Sequence, residues 1–167
     1  MSQSILASFL RRSRQKSLEL LDAIAARPLP QQALGWRPGA GRAHIAWQLM
    51  HVAATDDRHL HVRMKGGEPA HPDFVRRFAG GSTPDDDIPS LDAIRGYLTE
   101  RRQELVAHLE SLSAADLSIR PNPQMEWNYA EWFEVLAWHE AHHHGQAHLT
   151  YNMYRGQHDS QAPKVGH

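Results

Sequence analysis

The stretch Trp138-His139-Glu140-Ala141-His142-His143-His144-Gly145-Gln146-Ala147-His148 places five imidazoles within ten residues, in a chain that has 13 histidines and no cysteine. Imidazole ligates divalent metals through a ring nitrogen and exchanges protons near neutral pH. Two imidazoles four residues apart on a helix share a face and can reach one ion. His139 and His143 have that spacing, and at about 100° per residue they fall on one stripe with Trp132, Leu136, Ala147 and Tyr154. That stripe is the inward one. His144 and His148 repeat the spacing but are centred away from it, and His142 flanks it. One histidine on an apolar stripe reads most simply as a hydrogen-bonded core residue. Two point further, and a buried metal would still require a third ligand and groups that orient all three.

The only other dense histidine run, HIAWQLMHVAATDDRHLH, offers His44, His51, His59 and His61. Ile45, Leu49, Val52 and Leu60 form one apolar face there, and His51 lies opposite with Trp47 and Val62. A helix inside a bundle buries two sides, so periodicity leaves the choice among these histidines open.

Three neutral imidazoles would leave coordination positions for water or substrate, the pattern of a catalytic site. An open zinc ion lowers the pKa of water to about 7 or stabilises a thiolate. With no cysteine in the chain, any thiol would come from a substrate or cofactor. Glu140 offers a carboxylate as a base or as partner to a ligand, although a charge on a helix is more simply solvated. Gln146 is a candidate to orient a ligand or line a pocket. Trp47 is a candidate pocket residue, with Trp132 and Tyr154 expected to pack. The run Asp85-Asp86-Asp87 is expected to be solvated, and His158 and His167 to lie in a tail without chemistry.

Four helical patterns must position these groups: roughly Ser4 to Ala26, Arg42 to Met64, Leu91 to Leu112 and Tyr129 to Arg155. Pro28 and Pro30 end the first, and Gly66-Gly67 close the second. Ser90 is a plausible cap for the third, Asn128 and Glu131 form a capping box for the fourth, and Gly156 would stop it. Residues 66 to 90, rich in Gly, Pro and Asp, are expected to form a long loop. No alternating pattern argues for a sheet. The expectation is an all-α four-helix bundle with long inter-helix connections, in one domain spanning 1–167.

With 18 Lys+Arg against 19 Asp+Glu, no basic excess draws the chain to nucleic acid. The N-terminal stretch lacks the apolar core of a signal peptide, and no run approaches the ~18 apolar residues of a membrane span. A soluble cytoplasmic protein is expected, acting on a small molecule and not on nucleic acid or membrane.

LGWRPGAGRAHIAWQLMHVA followed much later by HEAHHHGQ resembles the DinB/YfiT-like superfamily of metal-binding four-helix bundles. Trp36-Arg37-Pro38 matches that family's turn, His51 its ligand in the second helix, and His139, His143 and Gly145-Gln146 its last helix. The resemblance implies that His51, His139 and His143 bind one divalent ion, zinc, nickel or iron, with water completing the shell. It also implies a homodimer, and an activity of the thiol S-transferase or hydrolase kind on small electrophiles, with a low-molecular-weight thiol as co-substrate in the first case. The alternative is a non-catalytic, stress-related metal- or ligand-binding module whose metal is structural. His144 stands where Arg is common in the family. It exchanges a fixed cation for a pH-sensitive group and bears on the substrate.

Overall fold

The computed structural model describes residues 2–159. His167 therefore lies outside the described residues. The described residues form helices and turns and no strand. The long helices are α1 (Gln3–Ala25), α3 (Ile45–Asp57), α5 (Leu91–Ser111) and α6 (Tyr129–His158), with two short ones, α2 (Pro30–Gly35) and α4 (Pro72–Arg77). Helices α1 and α3 each pack against both α5 and α6. No described helix is long and apolar enough to cross a membrane.

Local chemistry sets the ends. Helix α3 starts at Ile45, three residues later than periodicity suggests, because the His44 ring is its cap: Trp47 N–H donates to His44 Nδ1 at 3.0 Å. The other ring nitrogen meets the Asp85 carbonyl at 3.0 Å, which commits both nitrogens of His44 to structure. Ser90 caps α5 by accepting from Ala93 N–H. The expected capping box of α6 is present in both halves, at 3.0 and 2.8 Å. Gly156 does not stop α6, which continues to His158; there the ring donates to the Tyr154 carbonyl and stacks on the Tyr154 ring. His158 is thus helical and not part of a tail.

Twelve of the 13 residues of α3 are buried, which is why its apolar pattern gave no single face. After Asp57 the helix widens into a π-helical segment, Arg58–Met64, that ends at Gly66 with φ of 69°. The fully buried Asp57 carboxylate sits at this junction. It accepts from Ala70 N–H, His71 N–H and the Tyr97 hydroxyl, so it fastens the following connection to the helices.

That connection, expected as a loop, contains α4 and buries Phe78 in the core. Its acidic run is paired: Asp85 and Asp87 with Arg77, and Asp86 with Arg37 of the Trp-Arg-Pro turn. Segment 78–86 is thereby held as a wall against α3.

Two apolar clusters fill the interior. One joins Leu20, Ile24, Leu49, Ala53, Ile94, Leu98 and Tyr151; the other joins Leu6, Leu10, Leu60, Leu105, Phe133 and Leu136. On each long helix a charged residue lies between them in sequence: Arg14, Asp56, Arg102 and Glu140, none more than 5% exposed.

Candidate metal centre

Helix α3 contributes His51 and α6 contributes His139 and His143. One ligand nitrogen from each lies within 4.8 Å of the others. The Nε2 atoms of His51 and His139 stand 3.1 Å apart. Two ligands on a tetrahedral ion with bonds near 2.0–2.1 Å stand about 3.3 Å apart, so this spacing suits a shared cation. The rings of His139 and His143, one helical turn apart, have centroids 4.4 Å apart.

Two of the three outward nitrogens are occupied. His51 Nδ1–H donates to the Phe78 carbonyl at 2.7 Å, and His143 Nδ1–H donates to Gln48 Oε1 at 2.5 Å. Both acceptors lack a proton to give, so each bond fixes the tautomer that leaves an Nε2 lone pair. Trp47 stacks on His51 with centroids 4.7 Å apart and planes 8° apart, and donates its indole N–H to Ser82 Oγ. It braces the His51 ring from behind and does not line the neighbouring cavity.

Burial pushes every imidazole of this group down. His139 falls to about 3, through desolvation and then the repulsion of His143 and His51. His143 falls to about 4, chiefly through desolvation. His51 is lowered for the same reason. All three are neutral near pH 7, as metal ligation requires.

Two of the trio, His51 and His139, line a cavity of about 360 Å³ together with Trp127, Trp132, Val75, Ala79, Arg58 and His59. The walls are mostly apolar, the character of a small-molecule site. His59 donates Nδ1–H to the Thr55 carbonyl at 2.8 Å, packs on Trp132 and lines the cavity, with no partner for its Nε2 among the described residues. Burial lowers its pKa to about 4, so this nitrogen is an acceptor at neutral pH.

The remaining candidates fall elsewhere. Glu140 is neither a solvated charge nor a member of the cavity wall. Its carboxylate is completely buried between Arg14, at 2.8 Å, and Arg102, at 2.6 Å. Burial alone would raise its pKa, but the two guanidinium groups outweigh that and hold it below the usual carboxylate range. It is committed to structure, and the base role considered for it has no geometric support. Gln146 is exposed and hydrogen-bonds His142 Nε2 at 2.8 Å, and His142 stacks on the exposed Trp138. His144 and His148 face the α1 side with Lys16 and Glu19, away from the trio. His61 is taken up by Asp57 and Glu104.

Sequence reasoning missed Gln48, the Phe78 carbonyl, His59 as a cavity group, and Trp127. Gln48 carried a signal: it is a lone amide within the apolar run Ile45 to Ala54. A backbone carbonyl 27 positions away carries none.

No curated protein matches the chain. The family model described as the DinB superfamily matches residues 10–147, most of the length that carries the helices and all three histidines, and the chain belongs to that superfamily.

Proposed function

We propose that the protein is a metal-dependent enzyme acting on small electrophilic substrates, as a thiol S-transferase or a hydrolase, in a four-helix bundle formed by α1, α3, α5 and α6. The observation that carries this reading is the meeting of three neutral imidazoles, two of which line an apolar cavity large enough for a small molecule. A closed structural site would have a fourth protein ligand, and the trio has none among the described residues.

His51, His139 and His143 would hold one divalent ion, zinc, nickel or iron. Bound there, the ion supplies Lewis acidity, which raises the nucleophilicity of water or a low-molecular-weight thiol near neutral pH. The chain's own residues do the rest. Phe78 and Gln48 hold two imidazoles in the ligating tautomer. Trp127, Trp132 and Val75 keep bulk water from the cavity. His59 Nε2 takes over the acceptor role once considered for Glu140, holding a donor proton of substrate or nucleophile within the pocket.

Metal content of protein purified without an affinity tag, followed by assays with low-molecular-weight thiols and electrophiles and with esters and amides, tests this reading. His143→Ala separates it from a structural metal. The catalytic reading expects loss of metal and activity with a thermal midpoint within a few degrees of the metal-free parent, because the His143 ring is only partly buried and belongs to neither apolar cluster. Loss of the folded state along with the metal, and no turnover by the parent, would establish the non-catalytic module instead.

A further inference from the structure

Among the described residues, Arg58 is the one permanently charged side chain that lines the cavity beside the trio. It is exposed, and it has no hydrogen-bond or ion-pair partner among the described residues. It also lines a second cavity of about 350 Å³, with Arg63, Asn122 and Gln124, so the two spaces meet at its side chain. Arg63 likewise has no carboxylate partner among the described residues. The acids of the nearby wall are already taken, Asp85 and Asp87 by Arg77 and Asp86 by Arg37. Two guanidinium groups, Arg58 where the cavities meet and Arg63 in the second, are therefore left without a carboxylate partner among the described residues.

The widened helix is what brings them together. In an α-helix residues i and i+5 are separated by about 140° at about 100° per residue. In the π-helical segment Arg58–Met64 the backbone bonds i to i+5, which lays Arg58 and Arg63 along one face. π-turns are rare and occur frequently at functional sites. Here the turn also keeps Leu60 and Met64 in the core while Arg58 and His59 face the cavity.

We propose that the substrate carries an oxyanion: its apolar, aromatic-sized body lies against Trp127 and Trp132, its reacting group reaches His51 and His139, and its terminal oxyanion is held by Arg58 and Arg63. Asn122 and Gln124 add amide donors at that end. This rests on the reading of the cavity as the substrate site. The fork of an arginine matches a planar oxyanion in two parallel hydrogen bonds, and a site already carrying uncompensated cations gains from the anion's charge as well.

The test is calorimetric titration of the zinc-loaded full chain with 3-phenylpropanoate and with its neutral counterpart 3-phenylpropanamide. The expected result is a preference of about tenfold for the carboxylate, shrinking as salt is raised. In Arg58→Gln and in the Arg58→Gln/Arg63→Gln pair the preference should drop to about twofold or less, with affinity for the amide unchanged. Arg58→Lys should keep part of it, since charge survives and the fork does not. The same preference in metal-free protein separates this site from direct ligation of the carboxylate by zinc. No binding of either probe, equal binding of both, a preference that survives the double variant, or one that exists only with zinc bound would each overturn the proposal. A surviving preference in a protein that turns nothing over would instead leave the anion site standing and remove the enzymatic reading.

Discussion

An imidazole that ligates a metal presents one ring nitrogen and must place the other, and the partner of that second nitrogen decides tautomer and orientation. For His51 the partner is the Phe78 carbonyl, which no substitution can delete. For His143 it is the Gln48 side chain, which one can. Gln48→Leu keeps the volume and helical preference of a nearly buried position but leaves His143 Nδ1–H unpaired, free to turn and to exchange tautomers. Metal affinity measured by chelator competition should fall by about 10–100-fold. Helical content and the thermal midpoint of the metal-free protein should change little. An affinity within about twofold of the parent would show that Gln48 does not orient the ligand. The contrast between the two partners also explains what the chain disclosed in advance. The spacing of His139 and His143 is local and could be read directly. The choice of His51 over His44, His59 and His61 came from resemblance, because a helix buried all round has no periodic signal to rank its histidines. The structure supplies the missing reasons: His44 caps α3, His61 binds Asp57, and His59 turns to the cavity.

Between the two apolar clusters four buried charges, one from each long helix, close into a ring: Arg14 meets Asp56 and Glu140, and Arg102 meets the same two carboxylates. Two cations and two anions balance, and every pair crosses between helices. A slip of one helix along another would leave a buried ion without its partner, so the ring fixes the relative heights of α3 and α6 on which the trio depends. Glu140 sits in α6 between the two ligands, and Asp56 lies one helical turn and one residue beyond His51. Glu140→Gln removes one charge from this balance while keeping the shape. Stability in urea should drop by about 3–5 kcal/mol, the cost typical of breaking a buried pair from one side. Metal stoichiometry at saturating zinc should stay at one, since no ligand is touched. A loss below about 1 kcal/mol would mean that the ring is solvated in solution; loss of metal at undiminished stability would return Glu140 to the site. The sequence concealed this because a glutamate on a helix looks solvated unless its two arginine partners, 38 and 126 positions away, are known to be there. Helix boundaries at Ser90 and Asn128, set by neighbours in sequence, were open to reading. The π-turn and the ordered 66–90 segment, set by the distant contacts of Asp57, were not.

The molecule as a whole links the site to pH through its buried imidazoles. In the folded, metal-free state His59 and His143 are depressed to about 4 and His139 to about 3, while unfolded histidines titrate near 6.5. Between those limits the unfolded chain binds protons that the folded one does not. The resulting stabilisation is fully present above about pH 6.5 and is lost as pH falls toward 4. Urea midpoints should therefore decline from pH 7 to pH 5, before carboxylate titration takes over, and replacing His59, His139 and His143 by Gln should flatten the decline. The same depression governs metal uptake. Free imidazoles lose metal as protons compete near their ordinary pKa, each ligand adding to the slope. Here His139 and His143 are already neutral down to about pH 5 and burial lowers His51 in the same direction, so uptake releases few protons and the dissociation constant for zinc should change far less between pH 7 and pH 5.5 than three ordinary imidazoles would require. Calorimetry in buffers of different ionisation enthalpy reads that proton release directly. A release approaching one proton per ligand at pH 6 would mean that the trio is open to water and titrates like histidines on a surface, and the enclosed metal centre would have to be abandoned.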